Sequence, residues 1–498
     1  MTSSAATASL EPALNRCPPQ PRHIHLIGIC GTGMAALAGM LKTQGYRVTG
    51  SDQNVYPPMS DFLAEEQIPV LEGYSAAHLE PAPDLVIVGN VVRASNPEAI
   101  GLADRGLPYL SMPQALAHFF LSQHQPLVVT GTHGKTTTSS LLASTLHRLG
   151  ATPGFMIGGI VEAFGANYHL APGGEQGRPG GGAGPAFFVV EGDEYDTAFF
   201  NKVSKFQHYR PQCAILTSVE FDHADIFADL EAIKDSFREF IHRIPDNGLL
   251  VANTDDPLVA ELAQAASCPV LSYGFGRECS WQVSRVEVRG LATDFRLSCG
   301  GRDRGRFTVP MPGAHNVLNA TAVIALLDHL GFPLEAIAPG VAAFEGVKRR
   351  QQVRGCEAGV TVVDDFAHHP TAVRETVKAL RMAWPGQRLI VVFEPRTNSS
   401  RRAVFQELYS QVFDPADQVI VREHLPLADI PPQEQFSSVA LVQALRERGL
   451  KADYQADTEA ILCQLTSSLR PGDVVAILSN GGFDNIHQRL LAELRDFP

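Results

Sequence analysis

The stretch Leu127-Val-Val-Thr-Gly-Thr-His-Gly-Lys-Thr-Thr-Thr138 decides how the middle of the chain folds. Its apolar start reads as a buried strand and its glycines as a turn. Ser139 to Leu149 reads as a helix, with core positions at Leu141, Leu142, Thr145, Leu146 and Leu149 and a stop at Gly150. A strand, a glycine turn and a helix with Lys-Thr at the junction form a triphosphate site. Backbone N–H groups and the helix N-terminus face the phosphates, Lys135 adds a point charge, and the hydroxyl of Thr136, with Thr137 beside it, can ligate Mg²⁺. Gly131, Thr132, Gly134, Lys135, Thr136 and Thr137 are therefore the candidate ATP-binding residues. The turn is two residues shorter than the usual phosphate loop, because Val129 stands where a first glycine would be.

Upstream, His23-Ile-His-Leu-Ile-Gly-Ile-Cys-Gly-Thr-Gly-Met reads as a second strand and glycine turn opening a helix of small residues. Gly31, Thr32 and Gly33 approach the dinucleotide fingerprint, and a strand from Tyr46 to Gly50 delivers Ser51 and Asp52 about twenty residues on, within reach of a ribose or similar hydroxyl. Such a turn accepts any diphosphate, so both a nicotinamide cofactor and a nucleotide-sugar fit it. A nicotinamide oxidoreductase leaves the Lys-Thr-Thr loop without a role. A further strand, from Pro83 to Gly89, ends beside Asn90.

Downstream, two apolar runs end in chemistry. Phe187-Phe-Val-Val leads into Glu191-Gly-Asp-Glu-Tyr-Asp196, and Cys213-Ala-Ile-Leu leads to Asp222 and His223. Strand C-termini of an open parallel sheet converge on the ligand crevice, which places Glu191 and His223 to reach a metal near Thr136. The glycine- and proline-rich stretch 171–185 cannot bury apolar surface and is expected to be a mobile insertion. Residues 276–310 alternate with period two, as strands do. The helix opening at Gly313 carries His315, Asn316 and Asn319, suited to reading a base edge, with helix capping the alternative for Asn316. After Lys348-Arg349-Arg350, a third α/β pattern begins. One strand ends in Asp364-Asp365 before Phe366-Ala-His-His369-Pro370, another ends in Glu394-Pro-Arg396, and the last runs into Ser479-Asn-Gly-Gly-Phe483.

Length and composition set the frame. At 498 residues, about three domains are expected: a disordered tail over 1–21, then units over 22–123, 124–348 and 349–498. A net charge of −13 argues against nucleic acid as partner, because phosphate neutralisation needs a basic face. No apolar run is long enough to span a membrane, no signal peptide is evident, and eight scattered cysteines without a Cys-x-x-Cys pair suit a reducing compartment. The expectation is a cytoplasmic monomer.

Gly-Thr-His-Gly-Lys-Thr-Thr, the Gly313 to Asn319 pattern Gly-x-His-Asn-x-x-Asn, and Asp-Asp-Phe-Ala-His-His-Pro at Asp364 to Pro370 resemble the Mur ligase family in content and order. The resemblance covers the chain beyond residue 22. It implies an α/β protein of three domains: a Rossmann-like N-terminal domain for UDP-N-acetylmuramate, a P-loop ATPase domain, and a Rossmann-like C-terminal domain for the amine substrate. Glu191 to Phe200, Phe221 to Phe227, Glu394 to Arg396 and Ser479 to Gln488 are similar to the members that use the murein tripeptide L-alanyl-γ-D-glutamyl-meso-diaminopimelate in peptidoglycan recycling. The alternative within the family is the L-alanine ligase of de novo synthesis. Gly192, where alanine is common, Thr397-Asn-Ser-Ser400, and the 171–185 insertion depart from that pattern.

The implied reaction has the lactyl carboxylate attack the γ-phosphate of ATP, giving an acyl phosphate that the peptide amine then opens. By resemblance, Lys135 holds the phosphates; Thr136, Glu191 and His223 hold Mg²⁺; and Arg350 stabilises charge on the transferring phosphoryl. His315, Asn316 and Asn319 read adenine, and Asp365 reads ribose. His368 accepts the amine proton, and Arg396 meets the peptide's carboxylates.

Overall fold

The computed structural model describes residues 7–171, 186–222, 226–227, 229–427 and 430–495. Residues 172–185 of the expected 171–185 insertion, and His223, lie outside the described residues. The chain forms two compact units. One comprises residues 1–217, 233–252 and 257–271, and the other 218–232, 253–256 and 272–498.

Two sheets of the first unit position the candidate site. Strands Val70–Glu72, Arg47–Asp52, His23–Ile27, Leu85–Val88 and Tyr109–Ser111 lie side by side in that order, all parallel. The central pair is buried on both faces: Leu85–Val88 is apolar throughout, and in His23–Ile27 the buried His25 is paired with Glu98 at 2.7 Å. Chain order reverses at the His23–Ile27 strand, so its C-terminal end is the switch point where such sheets bind ligands. In the second sheet, Leu249–Asn253, Cys213–Leu216, Gln125–Thr130, Phe187–Gly192 and Gly154–Val161 are neighbours, all parallel, and Ala166–His169 closes the edge antiparallel. The phosphate-loop strand is central, with the Glu191 strand directly beside it. Each buried Leu, Ile or Val in these strands contributes roughly 1.5–3 kcal/mol.

The expected disordered tail is ordered from Ala8 onward. Asn15 donates to the Tyr109 carbonyl at 3.0 Å and exchanges hydrogen bonds with Gln114, while Leu10 and Leu14 pack on the first sheet's core. Low hydrophobicity hid this, because the segment docks through two leucines and one amide.

The second unit holds Gln352–Glu357, Val360–Asp365, Val474–Leu478, Leu389–Phe393, Gln418–Arg422 and Lys451–Gln455 in that order, parallel except for the first strand. Apolar clusters line both faces. The unit also contains the antiparallel hairpins Trp281–Arg289, Ala292–Cys299 and Arg302–Val309 and the helix Ala314–His329. The expected 124–348 domain is thus shared between the two units. Residues 313–319 bind locally to the third α/β segment: Asn316 bonds Gln351 at 3.1 Å, and a Cβ on Gly313 would lie 2.8 Å from that of Ala379.

Candidate active site

In the first unit, the helix of the phosphate loop runs Lys135–Arg148, beginning four residues earlier than its apolar pattern suggested. Threonine and serine fill its first turns, so periodicity alone could not mark the start. Gly131 and Gly134 have φ of +128° and +81°, backbone that the turn needs and that side-chain-bearing residues rarely adopt. Lys135 folds over this turn. Its Nζ donates to the Gly131 carbonyl at 2.6 Å and to Glu194 Oε2 at 2.8 Å, and the Glu194 side chain is only 4% exposed. Burial alone would lower the Lys135 pKa, but the carboxylates of Glu194 and Asp193 outweigh it and hold the ammonium above its ordinary value.

Thr136 Oγ1 donates to Glu191 Oε2 at 3.2 Å, and the Gly158 N–H donates to Oε1 of the same carboxylate at 2.8 Å. The phosphate-turn strand and the parallel Phe187–Gly192 strand beside it thus bring the Thr136 hydroxyl, at the start of the following helix, and the Glu191 carboxylate together. An oxygen pair beside a phosphate turn is the donor set Mg²⁺ prefers. Glu194 was not singled out from the sequence. Its signal was its place in the same Glu-Gly-Asp-Glu run, which does not reveal which carboxylate turns toward the lysine.

The first glycine turn sits at the switch point, with Gly31 capping the helix Thr32–Thr43 and Gly33 against Met112 and Met156. Its left-handed residue is Gly28, φ +82°. Asp52 is buried and brackets the turn, accepting the Cys30 N–H at 2.9 Å and the Asn54 N–H at 3.0 Å. Ser51 beside it is buried, and its hydroxyl has no partner among the described residues. Asn90 is exposed after the neighbouring strand.

The second unit carries the remaining candidates. Asn316 donates to the Pro312 carbonyl at 2.9 Å and to Gln351, and Asn319 donates to Asn316 Oδ1 at 3.3 Å. Gly313, not Asn316, is the cap of this helix. His315 Nε2 lies 3.3 Å from Gln351 Nε2. Asp365, the residue expected to meet the ribose, also holds the chain around it. It is buried, and it accepts the Gln351 N–H at 2.7 Å, the Ala367 N–H at 2.8 Å and the Thr376 hydroxyl at 3.2 Å. Its carboxylate holds the linker beside Arg350. Arg350 itself stacks on Phe366, 4.4 Å from the ring centre. His368 Nδ1 is 3.0 Å from the Phe366 carbonyl. Arg396 is exposed and lies over Gly481.

Three family models cover most of the chain: the Mur ligase family catalytic domain over residues 23–124, the Mur ligase middle domain over 129–327, and the Mur ligase glutamate ligase domain over 349–481. The chain belongs to the Mur ligase family, the ATP-dependent, ADP-forming ligases that the fold and the phosphate turn define. It is 38% identical over 469 residues to the UDP-N-acetylmuramate–L-alanyl-γ-D-glutamyl-meso-2,6-diaminoheptandioate ligase of Escherichia coli K12, covering 94% of this chain and 97% of that one. It is 35% identical over 476 residues to the UDP-N-acetylmuramate–L-alanine ligase of Variovorax paradoxus, covering 92% of each. Among solved structures, the murein peptide ligase of Psychrobacter arcticus matches with a TM-score of 0.71 at 33% identity, over 96% of this chain and 99% of that one. Among the described residues, no helix is long and apolar enough to cross a membrane.

Proposed function

We propose that this ligase joins the lactyl carboxylate of UDP-N-acetylmuramate to the alanyl amine of L-alanyl-γ-D-glutamyl-meso-diaminopimelate in peptidoglycan recycling, in the bacterial cytoplasm. The observation that carries the reading is the meeting of Lys135, Thr136, Glu191 and Glu194 at one phosphate turn, in a chain similar end to end to a ligase named for that reaction.

A carboxylate is a poor acyl donor, and phosphorylation to an acyl phosphate makes it one that an amine can open. The chain's part is alignment and charge neutralisation. Backbone N–H groups of the 131–137 turn and the Lys135 ammonium take the phosphate oxygens, and Thr136 and Glu191, with His223, are the ligands proposed for Mg²⁺. The metal supplies charge neutralisation at the phosphoryl oxygens. The turn at Gly28 to Gly33, with Ser51, Asp52 and Asn90, holds the UDP-sugar. Asn319, with Asn316 and His315, faces adenine. Arg350 bears on the transferring phosphoryl group, and His368 takes the amine proton.

ADP release with UDP-N-acetylmuramate and either the tripeptide or L-alanine tests the proposal. Turnover with the tripeptide supports it. Turnover with L-alanine alone would make the chain the de novo ligase that other relatives are named as.

A further inference from the structure

Just after Glu194, which holds the Lys135 ammonium, the chain of the first unit makes one excursion. Strands Asp196–Ala198 and Asn201–Ser204 pair antiparallel around a turn at Phe199 and Phe200. Among the described residues the two strands pair only with each other. A lone two-stranded hairpin is marginal by itself, so its place depends on what its two ends touch. Its base is pinned to the acidic run. Ser204 Oγ donates to the Glu194 carbonyl, the Lys205 N–H donates to the Tyr195 carbonyl at 3.1 Å, and the Lys205 ammonium meets Asp193 at 3.2 Å while lying 4.0 Å over the Tyr195 ring. A shift of the hairpin is therefore a shift of Glu194.

The tip is docked on a different sheet. Phe199 and Phe200 pack on the apolar cluster of the sheet that carries the first glycine turn. Phe200 meets Tyr109 edge to face, with ring centres 4.9 Å apart, and Phe199 lies 5.3 Å from Phe200. Leu10 and Leu14 pack on the same cluster, and the Tyr109 hydroxyl donates to the Glu11 carbonyl at 3.3 Å, so the N-terminal segment completes the seat. Turns ordinarily take Gly, Asn, Asp, Ser or Pro, and two consecutive phenylalanines at a hairpin turn serve docking rather than turn geometry. Perpendicular ring pairs are directional, which fixes the tip in orientation as well as in place.

We propose that Phe200, seated on Tyr109, is a positioning residue that sets nucleotide affinity: through the hairpin 196–204 it fixes Glu194 on the Lys135 ammonium. The assignment rests on the reading of 131–137 as the phosphate turn. A carboxylate held firmly on the lysine competes with a phosphate for it, and a carboxylate on a loose arm competes less. A contact far from the nucleotide, on the sheet proposed for the UDP-sugar, thereby tunes how tightly the nucleotide is held.

Calorimetric titration of the full chain with MgADP tests it. Phe200→Ala is expected to lower the Kd about three- to tenfold, whereas damage that merely disorders the phosphate turn would raise it. Phe200→Leu, which keeps apolar bulk without the ring, is expected to shift the Kd in the same direction by less. Phe200→Tyr, which keeps the ring, is expected to stay within about twofold of wild type. Glu194→Gln is expected to tighten MgADP at least as much as Phe200→Ala, and Phe200→Ala to add less than about twofold in that background, since both act through one contact. Unchanged or weaker MgADP binding in Phe200→Ala and Phe200→Leu, or full additivity with Glu194→Gln, overturns the seat. Wild-type MgADP affinity in Lys135→Ala overturns the phosphate-turn reading itself, whereas lost affinity there with no shift in the Phe200 variants overturns the seat alone.

Discussion

Arg349 reaches from the start of the third α/β segment to its last glycine turn: its Nη2 donates to the Gly481 carbonyl at 2.6 Å, and to that of Ser479 at the same distance. Asp364, 2% exposed, lies 3.6 Å from the guanidinium Nε. Arg349 and Gln351, on either side of Arg350, have left-handed φ of +64° and +50°. Such backbone is unfavourable for residues with side chains and persists only where surroundings hold it. The Arg349 bonds and the Asp365 contact to Gln351 are those surroundings.

Arg349→Leu is therefore expected to leave two turn carbonyls and Asp364 short of donors, lowering stability by about 2–4 kcal/mol. Urea unfolding of wild type and variant measures it; a change below about 0.5 kcal/mol would show that the turn holds itself.

Lys135→Ala removes the cation of the phosphate turn. ADP release is expected to fall at least about a thousandfold, in the range of losing a charged group from a phosphoryl-transfer site. Binding of UDP-N-acetylmuramate by calorimetry is expected to persist, because the turn at Gly28 to Gly33 proposed for it belongs to a different sheet. Retained activity would refute the phosphate-turn assignment.

Glu191→Gln keeps the shape and the bond from Thr136 while removing a charge. The Mg²⁺ concentration for half-maximal activity is expected to rise about tenfold or more. An unchanged Mg²⁺ titration counts against Glu191 as a ligand.

His208 supplies a pH signature unrelated to chemistry. Burial, assisted by Arg243, lowers its pKa to about 4, and its Nε2 lies 3.1 Å from the Asn201 amide nitrogen, which suits a neutral ring that accepts. Unfolded, the ring takes up a proton near pH 6.5. Between these values the unfolded chain binds more protons, so stability falls as pH drops from about 6.5 and levels off below about 4. Melting temperatures of wild type and His208→Gln from pH 4 to 8 should converge at low pH, and parallel curves would contradict the assignment.

Much of this was legible in the sequence because it is carried by punctuation. The glycine turn at 131–134 fixed strand, loop and helix together, and an apolar strand ending in Glu191 fixed a carboxylate beside Thr136. What was hidden depends on which way a side chain turns. Glu194 faces Lys135 and Asp365 faces Gln351, and neither direction follows from spacing. The compact units divide the chain differently from the expected domains for a related reason: residues 313–319 continue the middle segment in the chain, yet their amide contacts are to Gln351.

The Lys135–Glu194 contact also bears on the charge balance of the turn. A buried cation without a counter-ion would cost several kcal/mol, but here the turn closes on its own internal anion. On the proposed assignment of Lys135 to the phosphates, nucleotide capture is an exchange, with a phosphate oxygen displacing a carboxylate at nearly constant local charge. Affinity then reports the difference between two anions for one ammonium, and weakening the carboxylate tightens the nucleotide while loosening the resting fold.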